Sequence, residues 1–236
     1  MTKKFIGIGV GPGDKELLTL KAINEIKRCD VVFKPVVKKG KKSIAYQIIK
    51  EYIPKSAKVI DLVFKMSKDK NKRKKYRKKL SKNIKDEIIK GNTCCFITIG
   101  DPCLYSTYMY IVKNLKKENI KIKTIPGITS YQSIFAKINE SMALEEENFA
   151  VYPVNDDKEK IKKVIETNNN IVFMKVKRNQ KLIYKLLKEK GLEDKIFIAS
   201  NIGKKNEYIS YEINDLINKE FSYFTTLIVK KGGFDE

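Results

Sequence analysis

The chain has 236 residues and contains no histidine. A Ser-His-Asp triad, a Cys-His nucleophile pair and an imidazole base are therefore excluded. Any proton transfer has to use a carboxylate, lysine, tyrosine, cysteine or water. Hydrophobic residues still make up 42% of the chain, which is enough to bury a sizeable core and excludes wholesale disorder.

Cysteines are few and are not spaced for a structural site. The chain has four, Cys29, Cys94, Cys95 and Cys103, and no two of them form a C-x-x-C pair. Neither a disulfide framework nor a zinc site is expected from this spacing, and we predict no protein-bound metal.

Long apolar runs are also missing. No segment approaches the roughly 18–20 apolar residues of a membrane-spanning helix. The basic N-terminus reaches the Gly-Pro-Gly-Asp run at 11–14 too early to hold the apolar region of a signal peptide. We therefore expect a soluble, cytoplasmic protein with no membrane partner.

Positive charge is abundant and unevenly placed. Lysine and arginine total 50 against 28 aspartate and glutamate, so the formal net charge is +22. One cluster comprises Lys38, Lys39, Lys41 and Lys42. A second cluster has the single acid Asp69 and comprises Lys65, Lys68, Lys70, Lys72, Arg73, Lys74, Lys75, Arg77, Lys78 and Lys79. Two interpretations stay open: a solvated helix in a chain rich in Lys, Ile and Asn, or a surface for nucleic acid, a small polycarboxylate or a phosphate.

The first half of the chain alternates between strand and helix patterns. The predicted strands cover residues 4–10, 30–37, 59–64, 93–99 and 121–125. Such alternation is typical of an α/β domain with a doubly wound, mostly parallel sheet. The run at 93–99 is apolar almost throughout, which is typical of a central strand covered on both faces.

The second half predicts another α/β domain with a mixed sheet. Its predicted strands cover 149–154, 171–176 and 195–199, followed by an expected antiparallel pair at 207–213 and 223–230. The change of pattern between the halves places the boundary after residue 118, giving domains 1–118 and 119–236.

Three strand-to-helix loops carry glycine. The loop at 7–14 does not match the G-x-G-x-x-G motif, whichever glycine is taken as the first. Pro12 also lacks the backbone N–H that would bind a pyrophosphate. This loop therefore either shapes a ligand site or is only a tight turn. The loop at 100–102 reads Gly-Asp-Pro, and Asp101 in it either caps the next helix or faces a ligand. The loop at 126–130 reads Pro-Gly-Ile-Thr-Ser. Loops after parallel strands are expected to converge at one edge of the sheet.

Together these motifs resemble the tetrapyrrole methylase family, the S-adenosylmethionine-dependent enzymes that methylate corrin and sirohaem precursors. The resemblance covers nearly the whole chain, including Leu-Leu-Thr-Leu at 17–20, Val-Phe-Met-Lys at 172–175 and Thr-Thr-Leu-Ile-Val at 225–229. The run Gly-Asp-Pro-x-Leu-Tyr-Ser-Thr at 100–107 is most similar to the C-20 methyltransferases of cobalamin synthesis. Those enzymes act on precorrin-2 or its cobalt complex, cobalt-factor II.

The resemblance implies a binding site for S-adenosylmethionine in a cleft between the two domains, formed largely by backbone groups. The positions that match the family's contacts are Pro12, Gly100, Asp101, Leu104, Ser106, Thr107, Thr129, Ser130, Met174, Gly203 and Thr226. The implied partner is an anionic tetrapyrrole rather than nucleic acid, and the implied assembly is a homodimer. Sirohaem-forming methylases carry an Asp just after the second strand, where this chain reads Phe-Lys-Pro at 33–35, and this difference argues against a uroporphyrinogen methyltransferase.

The same resemblance makes Asp101 the candidate base that removes the proton from carbon 20 after methyl transfer. Tyr105, Tyr108 and Tyr131 either pack on the macrocycle or belong to the core. Two other functions stay open. A ribosomal-RNA methyltransferase of the same superfamily would suit the positive charge, and a non-catalytic nucleic-acid-binding protein would suit it too, although no RNP-type motif is present.

Overall fold

A computed structural model describes residues 4–64 and 69–234, together with all their side chains except that of Lys70. Lys65 and Lys68 of the second lysine cluster lie outside the described residues. The chain divides into two compact units, Met1–Thr129 and Ser130–Glu236. This division falls later than the predicted boundary after residue 118, because the strand at 121–125 pairs with the first strand of the chain and so belongs to the first sheet.

The described residues of the first unit form five strands and four helices. In chain order they are β1 (Lys4–Gly9), α1 (Leu20–Ile26), β2 (Val31–Val36), α2 (Ile44–Ile49), β3 (Lys58–Val63), α3 (Lys70–Ile89), β4 (Cys94–Thr98), α4 (Tyr108–Lys116) and β5 (Lys121–Ile125). Two short 3₁₀ turns, Lys15–Leu17 and Lys50–Tyr52, complete the described elements of this unit.

All five strands of the first unit are parallel, in the order β3-β2-β4-β1-β5. The strand β4 is central, as its apolar run predicts, and alternate residues point to opposite faces. Cys95 and Ile97 join one core cluster, and Cys94 and Phe96 join the cluster on the other face. The predicted doubly wound parallel sheet is therefore confirmed.

The first helix begins only after a separate 3₁₀ turn. Asp14 caps the 3₁₀ turn by accepting the Glu16 N–H over 2.9 Å, whereas Thr19 caps α1 by accepting the Ala22 N–H over 3.1 Å. Because the helix starts again after Thr19, its buried face runs through Ala22 and Ile26. Leu20, the first residue of α1, is 80% exposed.

The described part of the second unit, residues 130–234, also forms five strands and four helices. They are α5 (Ser130–Lys137), β6 (Phe149–Pro153), α6 (Lys158–Thr167), β7 (Asn170–Met174), α7 (Gln180–Glu189), β8 (Ile196–Ser200), β9 (Tyr208–Ser210), α8 (Asp215–Asn218) and β10 (Thr225–Lys230). A 3₁₀ turn at Val176–Arg178 follows β7.

The sheet of the second unit is mixed, as predicted, with the order β6-β7-β10-β8-β9. The strands β6 and β7 are parallel, and the remaining pairings are antiparallel. The predicted pairing of the last two strands with each other is wrong. Both pair with β8, on its opposite sides, because β10 inserts between β7 and β8.

None of the helices within residues 4–64 and 69–234 combines the length and the apolar character that a membrane crossing requires.

Candidate active site

Backbone hydrogen bonds join the loops that follow β1 and β4. The Val10 N–H donates to the Thr98 carbonyl over 2.9 Å, and the Gly100 N–H donates to the Gly11 carbonyl over 2.8 Å. The second contact forms an isolated antiparallel bridge between the loops. The opening loop is thereby fixed to the loop that carries Asp101.

Glycine is required where these two loops meet the loop after β5. A Cβ atom at Gly9 would lie 2.6 Å from the Gly100 carbonyl oxygen, and one at Gly127 would lie 2.3 Å from the same oxygen. A side chain at either position would force the loops apart. Gly100 itself has a φ of +67° and is open, since a Cβ there would meet no atom of the described residues within 4 Å. The backbone of this loop is therefore packed on one side and accessible to a ligand on the other.

Asp101 connects the loops that follow β4 and β5. Its Oδ1 accepts the Cys103 N–H over 2.7 Å, and its Oδ2 accepts the Gly127 N–H over 3.1 Å. Its side chain is half-buried. The first-turn N–H of α4, that of Tyr108, donates instead to Ser106 Oγ over 3.2 Å. The sequence leaves open two local roles for Asp101, and the first of them, capping α4, is therefore wrong.

The remaining predicted residues of the first unit lie along the same loops. Pro12 is buried in the opening loop, and Thr129 is buried after β5. Leu104, Ser106 and Thr107 occupy the segment between Asp101 and α4; the first two are half-buried and Thr107 is exposed. The Ser106 Oγ lies 3.4 Å from Thr98 Oγ1. These loops therefore bring the predicted residues of the first unit to the carboxyl edge of its sheet.

The tyrosines near these motifs separate into core and surface residues. Tyr108 is fully buried beneath Gly7, where a Cβ would lie 2.1 Å from its ring, and its hydroxyl lies 2.7 Å from Thr124 Oγ1. Burial raises the pKa of Tyr108. Tyr131 packs against Phe149 with ring centroids 5.9 Å apart. Tyr105 is 46% exposed, the most exposed of the three.

The predicted residues of the second unit gather at one edge of its own sheet. Met174 ends β7 and lies directly opposite Thr226 on β10. Both side chains are on the face that carries Ala199 and Ile228. Gly203 follows β8 with a φ of +75°, and its N–H donates to the Glu207 carboxylate over 2.9 Å. The predicted Ser130 is the first residue of α5.

A cavity of about 620 Å³ opens on the opposite face of the second unit's sheet. Its lining comprises Lys177, Ser200, Asn201, Asn206, Tyr208, Lys219, Glu220, Phe221 and Ser222. Ser200 Oγ lies 2.9 Å from Thr225 Oγ1, and the Thr225 side chain points away from the face of Thr226. The sheet therefore separates this cavity from Met174 and Thr226. Sequence analysis missed it because its residues come from separate loops and form no motif.

The first lysine cluster follows β2 at the same edge as Asp101. Lys34 on β2 pairs with Asp61 on β3 over 3.1 Å, and the Gly40 N–H donates to the other Asp61 carboxylate oxygen over 2.8 Å. The Gly40 hydrogen bond, with Lys34 adding to it, lowers the pKa of Asp61. The lysine loop is thus attached to the neighbouring strand by a carboxylate.

Comparison with known proteins agrees with this arrangement of loops. Residues 4–213 match the family model of Tetrapyrrole (Corrin/Porphyrin) Methylases. The chain belongs to this family. It is therefore an S-adenosylmethionine-dependent methyltransferase, and the family resemblance of its motifs is confirmed. The alternative of a non-catalytic nucleic-acid-binding protein is wrong.

Relatives of this methylase share nearly its whole length. It is 39% identical to the probable cobalt-precorrin-2 C(20)-methyltransferase of Methanocaldococcus jannaschii, covering 92% of this chain and 95% of the relative. It is 26% identical to the cobalt-precorrin-2 C(20)-methyltransferase of Salmonella typhimurium, covering 98% of each. The fold matches uroporphyrin-III C-methyl transferase from Thermus thermophilus complexed with S-adenyl homocysteine, with a TM-score of 0.72, 15% identity and 97% of each chain covered.

Proposed function

We propose that this methylase transfers a methyl group from S-adenosylmethionine to carbon 20 of precorrin-2 or its cobalt complex, cobalt-factor II, in cobalamin biosynthesis. The observation that carries the proposal is the full-length likeness to two proteins named as cobalt-precorrin-2 C(20)-methyltransferases. The Gly-Asp-Pro-x-Leu-Tyr-Ser-Thr segment at 100–107, which follows β4 and has open space at Gly100, agrees with it.

The strand-end loops fit a cofactor held through backbone groups. Gly100 leaves open space beside its main chain, and the buried Pro12 gives the opening loop a rigid apolar residue. These features support cofactor contacts by Pro12, Gly100, Asp101, Leu104, Ser106, Thr107, Thr129 and Ser130. We assign Met174, Gly203 and Thr226 to the same ligand because they lie together at one edge of the second sheet.

When bound, S-adenosylmethionine supplies an electrophilic methyl group and leaves as S-adenosylhomocysteine. The meso carbon of the tetrapyrrole is itself the nucleophile, so the chain's lack of histidine is no obstacle. The protein contributes by aligning the two reactants, which is its largest source of rate enhancement for an in-line displacement. The close packing of the loops at Gly9, Gly100 and Gly127 gives the site the rigidity that alignment needs.

Asp101 is our candidate for the group that accepts the proton from carbon 20. Each of its oxygens accepts one backbone hydrogen bond, and a carboxylate oxygen has a second acceptor site. The two bonds hold the carboxylate in one orientation while leaving capacity for a proton. In this proposal the same side chain therefore both links the two loops and acts as the base.

We further propose that the protein works as a cytoplasmic homodimer. Three of its cysteines are buried and free and Cys103 is exposed and free, which suits a reducing compartment. A two-fold dimer is the commonest assembly of soluble proteins. Sedimentation velocity at micromolar concentration should give the mass of a dimer, and a monomer mass would contradict the assembly.

The reaction is tested by anaerobic incubation with cobalt-factor II and methyl-labelled S-adenosylmethionine. We expect one labelled methyl group, which NMR of the purified product places on carbon 20. Ribosomal RNA is offered in a parallel reaction. Label on another carbon, or label on the RNA with none on the tetrapyrrole, would overturn the proposal, and the second result would favour the ribosomal alternative.

A further inference from the structure

The helix α3 is longer than the sheet that it covers. It has 20 residues, so at 1.5 Å per residue it is about 30 Å long. The neighbouring strands have five or six residues, about 20 Å at most. Because α3 connects the carboxyl end of β3 to the amino end of the parallel β4, its first half lies towards the carboxyl edge of the sheet.

Burial within α3 shows which half covers the sheet. Its buried residues are Leu80, Ser81, Ile84, Glu87 and Ile88, all in the second half. Leu80, Ile84 and Ile88 join the core cluster that contains Phe5 and Phe96. No residue at 71–79 is buried. The first half, residues 70–79, therefore extends beyond the carboxyl edge, and we call it the basic arm.

Contacts with α4 hold the basic arm beside the Asp101 loop. The Arg77 guanidinium lies 3.3 Å from the centre of the Tyr110 ring, a favourable cation–π contact. Tyr110 is in the first turn of α4, and its N–H donates to the Thr107 carbonyl over 3.2 Å. One turn further along α3, Ser81 Oγ accepts from Asn114 Nδ2 over 3.0 Å. The arm is thus packed against the first turn of α4, the helix that follows the Asp101 loop.

Five lysines of the arm have no carboxylate partner among the described residues. Lys72, Lys74, Lys75, Lys78 and Lys79 are exposed and form no ion pair with the described residues. By contrast, the lysines beyond the arm are paired: Lys82 with Asp86 at 2.9 Å, Lys85 with Glu118 at 2.6 Å and Lys90 with Glu87 at 2.9 Å. The uncompensated charge of α3 is therefore concentrated at the end that lies near the proposed reaction site.

We propose that the basic arm binds the carboxylates of the tetrapyrrole substrate. This inference rests on the proposed function, which supplies a ligand with many carboxylates. Lys72, Lys75 and Lys79 follow helical spacing and share one face of α3. Ammonium groups on one face can donate charge-assisted hydrogen bonds to several acetates and propionates at once. A surface of one sign also concentrates an oppositely charged ligand near the site.

The test compares two triple variants with equal loss of charge. The arm variant carries Lys72→Gln, Lys75→Gln and Lys79→Gln. The control carries Lys158→Gln, Lys163→Gln and Lys181→Gln, three exposed lysines of the second unit that are in no ion pair with described residues. For each we measure KM and kcat with cobalt-factor II, the Kd of S-adenosylmethionine by calorimetry, and the Kd of uroporphyrin, a porphyrin octacarboxylate, by fluorescence.

We expect the arm variant to raise KM for cobalt-factor II and Kd for uroporphyrin about tenfold. Its kcat and its affinity for S-adenosylmethionine should stay at wild-type values, and the control should match wild type in every measurement. Salt should raise the wild-type KM towards that of the arm variant, because exposed charges are screened. These results would support the arm as a substrate-binding element.

Unchanged KM and unchanged uroporphyrin affinity in the arm variant would overturn the inference, whatever the reaction proves to be. Loss of RNA binding in that variant, with both tetrapyrrole values unchanged, would overturn it in favour of a nucleic-acid partner. A wild-type enzyme that methylates neither cobalt-factor II nor precorrin-2 would refute the proposed function. The uroporphyrin comparison would then still decide whether the arm binds polycarboxylates.

Discussion

The Asp101 carboxylate accepts the Gly127 N–H over 3.1 Å and thereby joins the loops after β4 and β5. These two strands are not neighbours, because β1 lies between them in the sheet. The bond therefore spans the end of β1, where a Cβ at Gly9 would lie 2.6 Å from the Gly127 nitrogen. One side chain thus joins the ends of β4 and β5 across the end of β1, at the proposed site of methyl transfer.

Asp101→Asn should slow methylation at saturating concentrations of both substrates. If Asp101 accepts the proton from carbon 20, the loss of this base should lower kcat by about 10²–10⁴-fold. The amide replaces one carboxylate oxygen with an NH₂ group, so either the Cys103 N–H or the Gly127 N–H would face a donor in place of an acceptor. We therefore also expect weaker binding of S-adenosylmethionine, measured by calorimetry. A kcat at the wild-type level would show that Asp101 only links the loops and does not act as the base.

Gly127→Ala should abolish binding of S-adenosylmethionine while leaving the chain folded. The added Cβ would lie 2.3 Å from the Gly100 carbonyl oxygen, so the loops after β4 and β5 must separate. Wild-type affinity is expected in the micromolar range, roughly −8 kcal/mol. Gly232→Ala is the control, since its Cβ would meet its nearest atom, Glu147 Oε1, at 3.8 Å. Unaltered affinity in Gly127→Ala, with circular dichroism showing a native fold, would disprove this placement of the cofactor.

Asp61 should stabilise the first unit in a pH-dependent way. Its pKa is lowered chiefly by the Gly40 N–H, so its stabilising effect is complete above its ordinary pKa of about 4. The effect is lost as pH falls through the lower pKa of the folded state. Asp61→Asn should reduce the free energy of unfolding at pH 7 by roughly 1–3 kcal/mol, because two charge-assisted contacts weaken. Urea unfolding should show this difference shrinking towards pH 2, and a difference independent of pH would contradict it.

Much of the first unit could be predicted because its strands have recognisable local sequence patterns. The apolar run at 94–98 is strong enough to identify a central strand, and the parallel arrangement then places the loops at 11, 100 and 127 on one edge. That reasoning located Asp101 but not its partners. The bond to Gly127 depends on the register of β4 and β5 across β1, and local sequence does not contain this information.

Other features escaped prediction because they depend on long-range packing. Tyr108 is buried because Gly7 on β1 leaves space for its ring and Thr124 on β5 offers a hydroxyl partner. Both of these residues lie far from Tyr108 in the sequence. The order of the second sheet was missed for the same reason. The insertion of β10 between β7 and β8 is decided by which apolar faces meet, so the proximity of β9 and β10 in sequence misleads.

The substrate should be cobalt-factor II in preference to metal-free precorrin-2. Both relatives described above are named for the cobalt form. Without histidine, this chain can offer cobalt only water, a carboxylate, sulfur or a tyrosine as an axial ligand. Desolvation and the nearby Asp101 raise the pKa of the Cys103 thiol, which disfavours the thiolate that would ligate a metal.

Discrimination should therefore come from the shape of the macrocycle and the placement of its carboxylates, not from a bond between protein and metal. We expect kcat/KM to be at least about tenfold higher for cobalt-factor II under matched anaerobic conditions, a difference of about 1.4 kcal/mol. Cys103→Ser should keep the same ratio, because it removes a thiol that does not ligate cobalt. Equal or faster methylation of precorrin-2 would refute the cobalt preference, and a ratio that collapses in Cys103→Ser would instead assign cobalt ligation to that thiol.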